Sequence, residues 1–214
     1  MPRVDFSLYL ITDRHQTLGR PLLATLRQAL GAGVRAIQVR EKDLETRTLI
    51  ELASELLCRT RERGAVTLLN DRVDLVLALG ADGVHLRSDS MPVRAARRLL
   101  GPERLIGASA HSAEAVMRAE LEGADFVVLG PVYQTASKRS YGAPIGLRPI
   151  EEASRRCRIP VFAIGGITPA RVGEVRRAGA FGVAVISSIL SAADVESATR
   201  LLLGAIVTSQ GGSQ

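Results

Sequence analysis

Eight short apolar runs, each followed by a longer stretch with helical spacing, constrain the fold of this chain more than any other feature. Runs such as "VTLLN" (66–70) and "FVVLG" (126–130) have the length and β-branched content of buried strands. Between the runs, segments such as "TLIELASELLCRTRERG" place apolar residues three and four positions apart, which is typical of an amphipathic helix. Strands that alternate with helices form parallel sheets joined by helical crossovers. Eight such units predict an α/β fold, a single (β/α)8 TIM barrel, with strands at 8–12, 36–41, 66–70, 83–86, 105–109, 126–130, 161–165 and 182–187.

The length of the chain fits one domain. Its 214 residues, 46% of them hydrophobic, suffice for one barrel with a substantial core. We predict a barrel domain over residues 1–207 and a disordered tail, "TSQGGSQ", over 208–214. An open doubly wound sheet is the alternative architecture, but it would not normally need eight units, and no strand is followed by GxGxxG.

Charge and composition narrow the class of partner. The chain has 28 Lys and Arg against 22 Asp and Glu, and this net charge of +6 favours anionic ligands such as phosphate esters or nucleic acid. Aromatic residues make up only 3%, and no dense basic run is interleaved with stacking residues, which argues against nucleic acid. The sequence therefore predicts small-molecule partners and no nucleic acid, and it carries no signal for an oligomeric state.

The segments of the chain also bear on its location. No apolar run approaches the roughly 18 residues of a membrane span, and the N-terminus lacks a signal-peptide layout. Cys58 and Cys157 lie outside any metal-ligand spacing, so we expect two packed, reduced thiols. These features predict a cytoplasmic protein that does not bind a membrane.

The second predicted strand ends in polar residues. In a (β/α)8 barrel, reactive side chains lie at the C-terminal ends of the strands and in the loops that follow. Alternation along the strand puts Gln38, Arg40 and Lys42 on one side, and Val39 and Glu41 on the other. If the first side is the barrel mouth, a planar guanidinium and an ammonium converge there, a combination suited to a diphosphate. A solvated strand edge is the alternative.

The seventh and eighth strands end in small residues. "AIGGIT" and "VISS" occupy the positions at which many barrels of this type bind phosphate through backbone N–H groups. A tight glycine turn that only reverses the chain is the alternative. The candidate phosphate-binding residues are Gly165, Gly166, Ser187 and Ser188.

Other candidates follow the fourth, fifth and sixth strands. The loop "QTASKRSYG" provides the hydroxyls of Thr135 and Ser137 and the cation of Lys138, as a lid over an anion or as a solvated basic loop. His111 in "SAHS" is a candidate general acid or base, since its unperturbed pKa lies near neutrality, or a packing residue at a helix start. His85 lies inside an apolar run, and we interpret it as structural.

Segments spread over nearly the whole chain resemble the thiamine phosphate synthase superfamily, which also contains the thiazole tautomerases. They include "LYLITDR", "IQVREKD", "LLNDRVDLVLALGADGVHL", "GADFVVLGPVYQTASK", "PVFAIGGIT" and "AGAFGVAVISSI", in the order of that family. The resemblance implies a transferase of thiamine biosynthesis that joins hydroxymethylpyrimidine diphosphate to a thiazole phosphate, releases diphosphate and uses Mg²⁺. It implies that Arg40, Lys42, Ser109 and Lys138 are catalytic. It implies substrate binding by Gln38, Arg40, Lys42, Asn70, Ser109, Thr135, Ser137, Lys138, Gly166, Ile186 and Ser187.

The resemblance implies that Asp71 binds Mg²⁺, but the second metal ligand departs from the synthase pattern. That pattern has "GQED", with its last aspartate on the metal, where this chain has "RSDS", so Ser90 stands at the ligand position. A neutral hydroxyl is a poor substitute for a carboxylate on a hard cation. The predicted metal site is therefore Asp71 together with either Asp89 or Ser90.

Two further functions remain open at this point. A thiazole tautomerase would isomerise a thiazole carboxylate phosphate with His111 as acid or base, and it would account for Ser90 because it needs no metal. A non-catalytic protein that binds thiamine precursors is the third hypothesis, since a fold does not imply a function. We favour the synthase because Gln38, Arg40, Lys42, Asp71 and Lys138 form a nearly complete site for a diphosphate, and a tautomerase has no diphosphate to hold.

Overall fold

Eight parallel strands close into a barrel in a computed structural model that describes residues 4–135 and 143–209. Each strand pairs with the next, and the last closes onto the first, with Leu8 opposite Val183 and Leu10 opposite Val185. The predicted (β/α)8 fold is confirmed. The strands are β1 (Leu8–Ile11), β2 (Ala36–Val39), β3 (Val66–Asn70), β4 (Gly83–Leu86), β5 (Leu105–Ala110), β6 (Phe126–Leu129), β7 (Val161–Ile164) and β8 (Gly182–Val185).

Helices follow the strands and cover the outside of the barrel. Ser112 caps the fifth of them, since its hydroxyl accepts a hydrogen bond from the backbone N–H of Ala115 at 3.3 Å. The last helix ends at Thr208, one residue into the predicted tail, and residues 210–214 lie outside the described part. The helices are α1 (Leu22–Gly31), α2 (Thr46–Arg61), α3 (Val73–Leu79), α4 (Val93–Leu100), α5 (Ala113–Glu122), α6 (Arg148–Arg156), α7 (Pro169–Arg177), α8 (Ser187–Leu190) and α9 (Val195–Thr208), with a short 3-10 helix at Arg14–Gln16.

Aromatic rings fill the inside of the barrel. Phe6, Tyr9, Phe126 and Phe162 are all buried. The ring of Phe126 meets Phe6 and Tyr9 edge to face, with centroids 5.6 and 5.4 Å apart. Because these rings occupy the interior, the polar side chains at the C-terminal strand ends face an open cleft above them.

Gly107 on β5 makes room for this packing. A Cβ atom on Gly107 would lie 2.5 Å from Cζ of Phe126 and 2.7 Å from Nδ1 of His85. Both rings are buried and cannot retreat, so we expect Gly107→Ala to lower the free energy of unfolding by about 1–3 kcal/mol in urea denaturation. Gly204→Ala is the control, because a Cβ atom there meets nothing within 4 Å and should be neutral or stabilising. A Gly107→Ala protein with the stability of the wild type would contradict this packing.

The two cysteines were expected to be packed, reduced thiols. Both thiols are free, but Cys58 is exposed and Cys157 is only partly buried. The prediction of two packed thiols is wrong for Cys58, which lies outside the buried stripe of α2.

Among the helices of residues 4–135 and 143–209, none has the length and apolar character required to cross a membrane.

Candidate active site

A cleft of about 590 Å³ opens at the C-terminal ends of the strands. Part of its lining is apolar, with Val128 from β6 and Ile164 from β7. Most of the other lining residues are polar or charged. This is the end of the barrel at which the fold places chemistry. The polar residues that line the cleft are Asp13, Gln16, Gln38, Arg40, Lys42, Asn70, His85, Arg87, Ser88, Asp89, Ser109 and His111.

A chain of hydrogen bonds joins the ends of β2 and β3. Gln38 is 1% exposed, and its Nε2 donates to Oδ1 of Asn70 at 2.9 Å. Nδ2 of Asn70 donates to Oδ2 of Asp71 at 3.2 Å. The other polar atom of Gln38, Oε1, is buried and has no partner in the described residues. A buried acceptor without a donor at the wall of a cleft suits a ligand that brings an N–H group.

Asp71 has an unusual backbone conformation. Its φ of 58° lies in the left-handed region, which aspartate and asparagine tolerate better than most residues. Its backbone N–H donates to the carbonyl of His85 at 2.9 Å, and its Oδ1 accepts from the backbone N–H of Arg87 at 3.0 Å. These two bonds fix the carboxylate between the ends of β3 and β4. Such strained residues cluster at functional sites.

Arg40 and Lys42 line the cleft, as the alternation after β2 predicts. Glu41 between them is buried on the other side and accepts from the backbone N–H of Arg14 at 3.1 Å and from its guanidinium at 3.3 Å. The same guanidinium donates to both oxygens of Asp43 at 2.5 and 2.7 Å. This cluster ties the loop after β1 to the loop after β2, and so anchors the segment that carries the two cations.

His85 lies at the bottom of the cleft, 2% exposed, with Nε2 3.0 Å from the hydroxyl oxygen of Ser109. Burial lowers the pKa of His85 to about 3, against a smaller raising effect of Asp71, and Arg40 adds to the decrease. The ring is therefore neutral near neutral pH. Its interpretation as purely structural was incomplete, since His85 contacts a predicted catalytic residue across two strands.

The buried ring predicts a pH dependence of stability. Below about pH 6.5 the unfolded chain takes up a proton at this histidine, whereas the folded protein does so only near pH 3, because burial lowers the pKa of His85 to about 3. The unfolded state thus binds more protons in this window, and we expect the free energy of unfolding to fall as the pH decreases from 6.5 towards 3. Denaturant unfolding at pH 7 and pH 4 should show a larger loss in the wild type than in His85→Gln. Equal losses in the two proteins would contradict the assignment.

His111 has a defined orientation. Its Nδ1 lies 2.6 Å from the carbonyl oxygen of Gly130, so in the neutral ring this nitrogen carries the proton and donates it. Nε2 then keeps the lone pair of the ring. The side chain is exposed at the wall of the cleft, where a proton transfer to or from a ligand is geometrically possible.

Known proteins share both the sequence and the fold of this chain. Residues 8–189 match the family model described as thiamine monophosphate synthase, and a relative from Geobacter sulfurreducens is 52% identical over 95% of each chain. The chain belongs to the thiamine monophosphate synthase family. A thiamine-phosphate synthase of Roseiflexus castenholzii is 46% identical over 91% of this chain and 86% of its own. A solved structure, thiamine phosphate pyrophosphorylase from Pyrococcus furiosus, superposes with a TM-score of 0.88 at 38% identity, covering 96% of this chain and 98% of that one.

Many residues that the resemblance to the thiamine monophosphate synthase family implies reach the same cleft. Asp71 adjoins it through its contacts with Asn70 and Arg87. Thr135 is the last residue described before the gap, and Ser137 and Lys138 lie outside the described residues, so their roles stay predictions. The implied residues that line the cleft are Gln38, Arg40, Lys42, Asn70, Asp89, Ser109 and Ile186.

The residues predicted to bind phosphate after β7 and β8 differ in how well their structural surroundings agree with that role. Gly165 and Gly166 have φ values of 100° and 65°, and a Cβ atom on Gly166 would lie 2.9 Å from Cβ of Tyr133. These glycines are therefore required by the close approach of the loop after β6. The hydroxyl of Ser188 already donates to a main-chain carbonyl, that of Ile167, at 2.5 Å, whereas Ser187 is exposed. Of the two serines, Ser187 remains the candidate for the predicted phosphate contact.

The loop after β4 brings Asp89, not Ser90, to the wall of the cleft. Arg87 beside Asp89 holds the pKa of that carboxyl below its usual range, with its Nε donating at 2.9 Å. Ser90 instead closes the turn, since its backbone N–H donates to the carbonyl of Arg87 at 3.2 Å. Asp89 and Ser90 are the two residues predicted as a second metal ligand. The location of Asp89 at the cleft favours Asp89 over Ser90.

The donor set fits a hard divalent cation. Asp71 and Asp89 both approach the same nitrogen of Arg87, so their carboxylates lie close together. Within the described ranges, no group of three His, Cys, Asp or Glu side chains could hold a metal on protein ligands alone. Mg²⁺ commonly takes one or two carboxylates and completes its shell with water and substrate phosphates. The carboxylates of Asp71 and Asp89 fit that pattern.

Sequence reasoning missed Asp13 and Gln16 among the polar residues of the cleft. Asp13 accepts hydrogen bonds from the backbone N–H of His15 at 3.1 Å and from Nε2 of Gln16 at 2.7 Å, and both Asp13 and Gln16 line the cleft. The rule that reactive groups follow barrel strands applies to β1 as it does to the others. The segment "ITDR" carries the signal that would have found Asp13.

Proposed function

We propose that this protein is a thiamine-phosphate synthase, which joins hydroxymethylpyrimidine diphosphate to a thiazole phosphate and releases diphosphate. The observation that carries the proposal is the convergence of Arg40, Lys42, Gln38 and Asn70 in one cleft. Asp71 adjoins this cleft through its hydrogen bond with Asn70. Membership of the thiamine monophosphate synthase family supports the pyrimidine diphosphate as the anion that this site binds.

The reaction breaks one bond and forms another. The bond between the methylene carbon of the pyrimidine and the diphosphate oxygen breaks, and its electron pair leaves with the diphosphate. The electron-rich ring stabilises the cation that forms, and the thiazole nitrogen, already held in place, attacks it to give a thiazolium. Arg40 and Lys42 stabilise the charge on the departing diphosphate, and Lys138 is the third cation proposed for this task.

The neutral groups orient the pyrimidine. We assign the buried Oε1 of Gln38 to the amino group of the ring, because it is an acceptor that lacks a donor in the described residues. Ser109 presents its hydroxyl beside His85 on the same floor. The neutral His85 contributes no charge that would oppose the cation formed on the substrate.

The metal and the second substrate complete the assignment. We assign Asp71 and Asp89 to Mg²⁺, which when bound would neutralise charge on the departing diphosphate. The segments that follow β6, β7 and β8 are assigned to the thiazole phosphate. Its proposed contacts are Thr135, Ser137, Gly166, Ile186 and Ser187.

Diphosphate release distinguishes the proposed activities. A synthase releases diphosphate from the pyrimidine substrate only when the thiazole phosphate is also present. A non-catalytic binding protein binds both compounds and releases none. A continuous diphosphate assay with both substrates, and with each one alone, separates these cases, and release of no diphosphate with both would reject the synthase.

An isomerase is the second candidate function, and the orientation of His111 favours it. With Nδ1 donating to Gly130, Nε2 is available to move a proton on a thiazole carboxylate phosphate. If the protein has this activity, His111→Ala is expected to reduce isomerisation by at least about 100-fold and to leave diphosphate release within a few-fold of the wild type. Full isomerase activity in His111→Ala would remove this residue from the mechanism.

A further inference from the structure

Arg87 stands between the two carboxylates that we assign to Mg²⁺. Its Nε donates to Oδ1 of Asp89 at 2.9 Å and lies 3.2 Å from Oδ2 of Asp71. Its backbone N–H donates to the other oxygen of Asp71 at 3.0 Å. One guanidinium nitrogen thus pairs with oxygens of both carboxylates that we assign to the cation.

The solvent exposure of the three side chains leaves room for this arrangement to open. The Asp71 side chain is 19% exposed, that of Arg87 is 42% exposed and that of Asp89 is 73% exposed. A guanidinium exposed to this extent can leave the carboxylates for water or for a ligand in the cleft without being stranded in the core. It keeps its charge at any physiological pH, so it leaves by displacement and not by losing a proton.

We propose that Arg87 is an internal counter-ion, which holds Asp71 and Asp89 in the ligand-free protein and yields them to the divalent cation. This inference rests on the proposed function for the identity of the metal and of the diphosphate. Arg87 and the cation compete for the same oxygens, so the ligand-free protein binds the cation weakly.

The displaced guanidinium has a new partner once the diphosphate is bound. Arg87 lines the same cleft as Arg40 and Lys42, which we assign to the diphosphate. A diphosphate that binds Arg87 withdraws it from the carboxylates and so strengthens cation binding, and by linkage the cation strengthens diphosphate binding by the same factor. The protein then takes up the two together and holds neither tightly alone.

Mn²⁺ binding to the substrate-free protein tests the competition directly. Free Mn²⁺ is measured by electron paramagnetic resonance in titrations of the full-length protein. We expect Arg87→Ala to bind Mn²⁺ at least about fivefold more tightly than the wild type, because a partly exposed ion pair is lost. Arg87→Gln should behave likewise, since it keeps a hydrogen-bond donor but no charge.

Arg72→Ala is the matched control. Arg72 makes an ion pair of the same spacing, with Nε 2.9 Å from Oδ1 of Asp74, and its side chain is 31% exposed, against 42% for Arg87. Its removal takes the same charge from a neighbouring loop without freeing the carboxylate of Asp71. We expect its Mn²⁺ affinity to stay within about twofold of the wild type.

The outcomes separate this inference from the proposed function. The counter-ion role would be overturned if an Arg87 variant that melts at the wild-type temperature binds Mn²⁺ no more tightly than the wild type does. A Mn²⁺ affinity unchanged in Asp71→Asn would overturn it too, because the cation would then lie elsewhere. Failure of the proposed function shows differently, as an absence of diphosphate release by the wild type whatever the Mn²⁺ affinities.

Discussion

Asp71→Asn is expected to reduce kcat/KM for thiamine phosphate formation by at least about 100-fold. The proposed role of Asp71 is to hold the cation that neutralises the leaving diphosphate, and an amide supplies no negative charge for it. Asparagine is the right substitution because the backbone of residue 71 has φ 58°, which asparagine tolerates and alanine does not. The loss of activity should therefore appear without a large loss of stability.

Asp74→Asn is the control for Asp71→Asn. Asp74 lies in the first turn of α3, three residues along the chain, and its exposed carboxylate pairs with Arg72. The two variants make the same chemical change, but only one affects the cleft. We expect Asp74→Asn to keep its activity within about twofold, since surface ion pairs contribute little. A wild-type rate in Asp71→Asn, measured at limiting Mg²⁺, would reject the metal assignment.

Arg40→Ala is expected to slow diphosphate release by about 10²–10³-fold, since it removes a fixed donor from the developing charge. The backbone around Arg40 should survive the change, because its N–H donates to the hydroxyl of Thr12 at 2.9 Å and alanine retains that N–H. Arg40→Lys should recover part of the rate, because it restores the charge but not the planar fork. Steady-state kinetics with saturating thiazole phosphate separates the effects on kcat and KM.

Arg35→Ala controls for the loss of an arginine near the same strand. Arg35 lies just before β2, at the opposite end of the barrel, and its guanidinium donates to the carbonyls of Arg63 and Gly64 at 3.1 and 3.3 Å. That end of the fold contributes to stability and not to chemistry. Its removal should alter the melting temperature more than the rate. Equal loss of rate in Arg35→Ala and Arg40→Ala would show that neither effect arises in the cleft.

The architecture was predictable from the sequence because buried parallel strands have a strong pattern. Strands covered on both faces consist of continuous apolar runs, and two of them, 66–70 and 83–86, were predicted to the residue. Several others were predicted one or two residues too long at their C-terminal ends. Thr12, Gly130 and Gly165 extend these runs in the sequence, but each strand ends one residue before them.

The details of the site depend on contacts that no local pattern encodes. The apolar run around His85 predicted its burial correctly, but the bond to Ser109 depends on the register between β4 and β5, which is a tertiary property. The choice between Asp89 and Ser90 likewise required the shape of the turn after β4, because adjacent loop residues have no fixed alternation. Arg87 opens the "RSDS" segment whose departure from the synthase pattern the sequence revealed, but no sequence pattern predicts its two carboxylate partners.

Formation of thiamine phosphate by the purified protein is the most direct test of the proposed synthase. The protein would be incubated with hydroxymethylpyrimidine diphosphate and thiazole phosphate, once with Mg²⁺ and once with EDTA, and the product measured by chromatography. We expect turnover with Mg²⁺, equal amounts of thiamine phosphate and diphosphate, and little of either in EDTA. Absence of thiamine phosphate in the presence of Mg²⁺ and both substrates would contradict the account.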